Sequence, residues 1–286
     1  MTGGESVTLV IGAGGKVGTV AVRRLVEYGV PVRALRRDPA GAAPGDGAVE
    51  LVQGDLDRPE TLPPAFAGAD RVLLVAAGAD IPAEEAAAIA AAEQAGVKHF
   101  VLLSSLGVDA GVASGPAHAP GEARLRASGI PWTILRPGFF MANAMMWRDT
   151  ILAEGVVYEP TGAGRHAMVH PADVGEVAAE VLCSPGHEGR IYELTGPEPV
   201  STADCAAALS AVTGRDIHHV DIPDQAFRDG MTRAGAPPAL VDSLARYYAM
   251  VKAGQFETVT PVVAEMLGRP ARTFGMWAEE SAGAFV

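Results

Sequence analysis

A short apolar run that breaks into glycines, then resumes as a helix, constrains this chain more than any other stretch. Val7-Thr8-Leu9-Val10-Ile11 is apolar and β-branched, the pattern of a parallel strand buried on both faces. Glycines follow at Gly12, Gly14, Gly15 and Gly18, after which Val17, Ala21, Leu25 and Tyr28 recur at helical spacing. Strand, glycine turn and helix in that order place a diphosphate on a helix N-terminus, where free N–H groups and the helix dipole face the anion. A glycine turn alone serves equally well as a plain connection. The strand before it and the helix after it are what predict a dinucleotide cradle from Gly12, Gly14, Gly15, Lys16, Val17 and Gly18.

The chain then repeats the same alternation. Val30–Leu35, Val49–Gln53, Arg71–Val75, His99–Leu103 and Trp132–Leu135 read as strands. Helices are expected around Thr61–Phe66, over the alanine-rich Ala83–Ala95 with Gly96 as its stop, and over Gly121–Ala127. Strands alternating with helices mean a parallel sheet covered on both faces, and right-handed crossovers make it a Rossmann-type, doubly wound α/β fold. Residues 1–155 form the expected nucleotide-binding domain, and strands between 156 and 194 (Val156–Tyr158 and Arg190–Leu194) return to its sheet. Residues 195–286 form a smaller helix-rich lobe, with helices at Ser201–Val212, Asp224–Ala234, Leu240–Lys252, Pro261–Leu267 and Thr273–Phe285.

The formal net charge of −12 excludes a nucleic-acid binder, which needs a basic surface. Two cysteines, Cys183 and Cys205, supply neither a disulfide framework nor a metal-ligand spacing, and they fit a reducing cytoplasm. The apolar runs are too short to span a bilayer, and the early first strand leaves no room for a secretory leader. A cytoplasmic monomer or homodimer acting on a small molecule is the expectation.

Cofactor choice is read at the end of the second strand. A site for NAD normally carries an acidic residue there, whereas this chain has Arg36-Arg37, whose guanidinium groups match a 2′-phosphate in charge and geometry. Asp38 lies beyond both, immediately before Pro39, and is expected in the turn. NADPH is the predicted cofactor.

Taken in order, Gly12–Gly18, Val32–Arg37, Gly54-Asp55-Leu56, Ser104-Ser105, Ser128–Gly138 and Val262–Phe274 resemble the NmrA-like atypical short-chain dehydrogenase/reductases, in particular type-2 NAD(P)H:quinone oxidoreductases. The resemblance implies that Gly12, Gly15 and Gly18 form the diphosphate turn, and that Asp55 and Leu56 flank the adenine. It implies further that Ala76 and Ala77 pass under the nicotinamide ribose, and that the Pro137–Phe140 stretch, with Pro137 and Phe139 on the cofactor side, borders nicotinamide and substrate. The Tyr and Lys pair of standard short-chain dehydrogenases is missing, since neither residue occurs between Ser105 and Trp132. Atypical members commonly lack it.

The proton donor must therefore come from elsewhere. Ser105 closes the fifth strand at the ligand-binding edge, and His118, in the loop Gly115–Gly121, titrates in the right range. Glu122 reads as a helix-start carboxylate, His170 as a helix-start residue, and Arg136 faces either the cofactor or the sheet edge. Phe140, Met145, Trp147 and Tyr247 are expected to line a substrate pocket suited to a planar, apolar acceptor, with Tyr248 as a second candidate and core packing as the competing role. Two functions remain open at this point. One is an NADPH-dependent reductase of carbonyls, quinones or conjugated acceptors, and the other is a cofactor-binding redox sensor with little turnover.

Overall fold

A computed structural model describes residues 6–38 and 48–286. Strands β1 (Val7–Ile11), β2 (Val32–Arg36), β3 (Val49–Gln53), β4 (Ala69–Leu74), β5 (His99–Leu103) and β6 (Trp132–Pro137) pair in parallel register. Of the later strands β7 (Val156–Glu159), β8 (Arg165–His166) and β9 (Arg190–Leu194), only β9 joins them, giving a seven-stranded sheet in the order 3-2-1-4-5-6-9. This is the doubly wound, Rossmann-type fold expected. The order turns back between β1 and β4, so a crevice opens beyond the carboxyl ends of those two strands.

The chain divides into two compact units. The first comprises residues 1–105, 116–136 and 174–192, and the second comprises residues 106–115, 137–173 and 193–286. The division is interleaved, where residues 1–155 together with the strands of 156–194 were expected as one domain and residues 195–286 as a second lobe. One reason is that β7 does not return to the main sheet. It pairs in parallel with β11 (His218–Asp221), and β8 pairs with β10 (Val200–Ser201).

In the first unit, helices α1 (Gly18–Glu27), α2 (Pro63–Phe66), α3 (Ile81–Ala95) and α4 (Gly115–Ala127) accompany the sheet. Its core includes Leu9, Leu74, Phe100, Leu102 and Ile89, all without solvent exposure. Helix α3 is capped by Asp80, whose Oδ1 accepts from the Ala83 N–H at 3.1 Å, and it ends at Gly96 in the left-handed conformation. Helix α4 begins six residues before the expected Gly121. Pro116 occupies its first turn, where no N–H is needed, and Pro120 is accommodated inside it.

The second unit begins with a 3-10 turn at Leu106–Val108 and contains a longer one at Met141–Trp147, followed by α5 (Arg148–Glu154). Later come α7 (Thr202–Thr213), α8 (Asp224–Arg233), α9 (Pro238–Lys252), α10 (Val262–Leu267) and α11 (Phe274–Ser281), close to the expected spans. The intervening α6 (Pro171–Cys183) belongs mostly to the first unit. Ser201 and Asp204 form a reciprocal capping box on α7, which explains why the start of that helix was readable. Among the described residues, no helix is long and apolar enough to cross a membrane.

Candidate active site

The glycine turn sits at the point where the strand order reverses. Gly12 has φ +82°, and a Cβ on it would lie 2.6 Å from the Val75 carbonyl oxygen at the end of β4. A Cβ on Gly18 would stand 2.2 Å from the Gly12 oxygen, so glycine there lets α1 dock directly on the turn. The Gly15 N–H closes the turn on the Gly12 carbonyl at 3.0 Å. No side chain caps α1 and no acidic residue lies in its first turn, which leaves the helix N-terminus to an anion. Gly14, Gly15 and Lys16 are exposed, while the Val17 side chain is buried and contributes to packing.

The Arg36 guanidinium lies 3.7–3.8 Å from where a Gly14 Cβ would stand, and its buried Nε has no hydrogen-bond partner. A 2′-phosphate beside the turn would supply one. Gly12, Arg37, Asp55, Leu56 and Ala77 converge on a cavity of about 210 Å³ at the carboxyl edge of the sheet. Arg36 lines a different cavity, of about 510 Å³, together with Ala13 and Thr19. The two arginines therefore face different spaces. The Asp55 carboxylate accepts from the Asp57 N–H at 3.2 Å and lies 3.6 Å from Arg58 Nε. Ala76 is buried rather than part of the cavity wall. Turn, cavity and unpartnered Nε together fit a dinucleotide with a 2′-phosphate.

Glu84 also lines the 210 Å³ cavity and was missed in the sequence. Its Oε2 accepts from the Gly78 N–H at 3.1 Å.

At the end of β5 the two serines differ. Ser104 Oγ donates to Glu122 Oε1 at 2.6 Å, and Arg136 grips the same carboxylate through Nε at 2.8 Å and Nη2 at 2.7 Å. Burial alone would raise the Glu122 pKa, but Arg136 and Ser104 outweigh it and hold it below the usual value. Glu122 is thus structural, though it lies inside α4 and not at the helix start. Arg136 is committed to it. Ser105 is buried beside this cluster in sequence. His118, expected in a loop, lies in the first turn of α4, and its Nδ1 is 2.7 Å from Glu85 Oε1.

Glu85 is fully buried, and its other oxygen, Oε2, has no partner. Burial raises its pKa, and the like charges of Glu122 and Glu84 add to this, against the opposing pull of His118. Sequence reasoning passed over Glu85 inside an alanine-rich helix. The available signal was its position four residues from both Ile81 and Ile89, on the stripe that faces the core.

The remaining sequence candidates belong to the second unit. Phe139 is half-buried and stacks on Tyr247 with centroids 4.8 Å apart. Tyr247 is buried, with its hydroxyl 2.7 Å from His166 Nδ1, and burial lowers the His166 pKa to about 4. Trp147 is also buried; its Nε1 donates to Glu159 Oε1 at 2.8 Å. Tyr248 donates to the same oxygen at 2.8 Å and Thr202 to Oε2 at 2.9 Å. Phe140 and Met145 are half-buried against the second core, and the Pro137 side chain is buried. His170 lies just before α6, its Nδ1 accepting from the Ala172 N–H at 3.1 Å, as a helix-start residue should. No group of three or more His, Cys, Asp or Glu side chains poised for a metal occurs among the described residues.

A family model described as NAD(P)H-binding matches residues 12–185. The NAD(P)H azoreductase of Xenophilus azovorans is 38% identical over 281 residues, which covers 97% of this chain and 98% of the relative. A (4-alkanoyl-5-oxo-2,5-dihydrofuran-3-yl)methyl phosphate reductase from Streptomyces griseus is 38% identical over 280 residues, 97% of this chain and 98% of its own length. The crystal structure of an NADPH-dependent quinone oxidoreductase from Escherichia coli, complexed with NADPH, superposes with a TM-score of 0.85 at 26% identity, covering 96% of this chain and 99% of that one.

Proposed function

This chain belongs to the NAD(P)H-binding family, as an NAD(P)H-dependent reductase, and from that premise we propose that it uses NADPH to reduce a flat, conjugated acceptor such as a quinone, an azo dye or an unsaturated lactone. The observation that carries the cofactor choice is the Arg36 guanidinium beside the glycine turn, its buried Nε lacking a partner. When bound, the nicotinamide supplies a hydride. What the chain itself provides is orientation and a proton.

The cradle from Gly12 to Gly18 and the Arg36 guanidinium would hold the diphosphate and 2′-phosphate ends. Asp55 and Leu56 would flank the adenine and Ala77 would line the ribose, with Ala76 buried behind that wall. Within the second unit, Phe140 and Met145 are half-buried and open to an apolar ligand, whereas Trp147 and Tyr247 are buried in its packing. Ser105 donates a hydrogen bond to the developing oxyanion and His118 supplies the proton.

The test is NADPH and NADH oxidation measured against a panel of quinones, azo dyes and conjugated ketones. Turnover with NADPH on at least one class, and much weaker turnover with NADH, is the expected result. Tight NADPH binding without turnover on any acceptor would replace the reductase with a cofactor sensor.

A further inference from the structure

We propose that Glu85 is the positioning partner of His118, and that the two form a buried carboxylate–imidazole pair which delivers the acceptor's proton from His118 Nε2. The inference rests on the reductase reading above and deepens it.

Three observations carry it. The pair is tight and dry, with Nδ1 2.7 Å from Oε1, His118 at 6% exposure and Glu85 at zero. Its two helices follow strand ends at which ligands of such sheets bind. Helix α3 starts after the Ala76-Ala77-Gly78 end of β4, α4 starts after the Ser104-Ser105 end of β5, and both partners lie near the beginnings of those helices. It is also sterically reserved, because a Cβ on Gly121 would stand 1.7 Å from Glu85 Oε2. A larger residue at that position of α4 would oblige the carboxylate to move.

A purely structural carboxylate would have both oxygens satisfied, as the neighbouring Glu122 does. Glu85 has one oxygen on His118 and the other on nothing.

The chemistry follows from which nitrogen Glu85 engages. In the protonated pair Nε2 carries a hydrogen whether the shared proton sits on Nδ1 or on the carboxyl, so Nε2 is a donor in either form. After transfer, Nδ1–H remains on the carboxylate and Nε2 is bare. Bound NADPH would supply the acceptor with a hydride, one hydrogen and two electrons, and the oxygen left negative takes a single proton from Nε2. The products are alcohol or hydroquinone and NADP+, and the pair regains its proton from water. Two other charges face Glu85: Glu84 on its own helix, and Glu122 on α4, itself neutralised by Arg136 and Arg126. Both favour the protonated pair at Glu85.

The test compares Glu85→Gln and His118→Ala with the wild type in kcat across pH, NADPH affinity and His ring NMR. Glu85→Gln keeps the shape and removes the charge. It should lower kcat about 10-fold at neutral pH and move the alkaline limb of kcat about one unit toward lower pH, so that the two enzymes converge on the acid side. NADPH affinity should stay within about twofold of wild type, because general-acid catalysis acts on the chemical step. In 15N-histidine-labelled wild type, the resonance absent from His118→Ala should report a protonated Nδ1 and a bare Nε2 on the alkaline side of that limb. This readout needs no Glu85 variant to fold. If His118→Ala loses activity while Glu85→Gln keeps the wild-type pH profile, or if the NMR finds the proton on Nε2, Glu85 has no positioning role and His118 alone is the donor. If His118→Ala keeps full turnover, the donor assignment fails and the pair with it.

Discussion

Glu85 and Glu159 are both withdrawn from solvent, yet they are treated in opposite ways. Glu159 receives Trp147, Tyr248 and Thr202 on its two oxygens, and the Thr161 hydroxyl backs Thr202 at 2.8 Å. Glu85 receives His118 on one oxygen and nothing on the other. A fully satisfied buried carboxylate ties elements together: β7, α7, α9 and the 141–147 turn meet on Glu159. A half-satisfied one is a poor strut and a good proton carrier. Glu159 serves cohesion in the second unit, as Glu122 does in the first, whereas Glu85 is left incomplete.

The sharpest way to break this contrast is Glu159→Ala. It leaves the buried Trp147 and Tyr248 donors without an acceptor and opens a void, so a loss of about 3–5 kcal/mol is expected in denaturant unfolding. A loss below about 1 kcal/mol would mean that water replaces the carboxylate, and the hub would not be a strut.

Next in size is the pH dependence of the second unit. His166 titrates near 4 in the folded chain against an ordinary 6.5, so the unfolded state binds its proton first. Its stabilising contribution is present above 6.5 and is lost as pH falls toward 4, by about 3 kcal/mol in full. Glu159 has the opposite sign. Burial raises its folded pKa, so its contribution is complete below the unfolded value and is lost as pH rises through the folded one. Unfolding curves across pH should therefore flatten on the acid side in His166→Gln and on the alkaline side in Glu159→Gln. Unchanged slopes would separate these groups from the stability of the unit.

In the first unit the expected losses fall on ligand and rate. Replacing Arg36 and Arg37 together by alanine should weaken NADPH binding on the order of 10- to 100-fold and spare NADH, as for removal of charge-assisted bonds to a phosphate. Equal losses for both cofactors in a titration would detach the arginines from the 2′-phosphate. Ser105→Ala should cost on the order of 10-fold in kcat with NADPH affinity kept, which steady-state kinetics will report. The smallest expected effect sharpens the comparison most. Glu85→Gln should change unfolding free energy by less than about 1 kcal/mol, because an incompletely satisfied carboxylate contributes little to hold the fold.

Most of the sheet was legible in the sequence because parallel strands buried on both faces leave unbroken apolar runs, and glycine marks their ends. The helices of the C-terminal third were legible through their starts, as at Ser201 and Pro261. What escaped was long-range. Nothing local tells Val156–Glu159 to pair with His218–Asp221 and leave the main sheet. Pro116, His118 and Pro120 read as loop residues because proline usually ends a helix, while here one proline begins it and the other is tolerated within it. The glycine turn, and the arginines that end β2 near it, were readable from residue type and spacing. Glu85 was not, since its partner lies 33 residues away and only the folded packing of α3 against α4 brings them together.

The central claim is that bound NADPH gives up hydride to a conjugated acceptor on this chain. It is tested most directly with NADPH carrying deuterium on one face or the other of nicotinamide C4, and a conjugated ketone whose product retains a new C–H bond. One of the two labelled cofactors should slow single-turnover oxidation and deliver its deuterium to the product carbon, and the other should do neither. If neither label slows the reaction or appears in the product, the chain binds NADPH without passing its hydride on, and the account is wrong at its core.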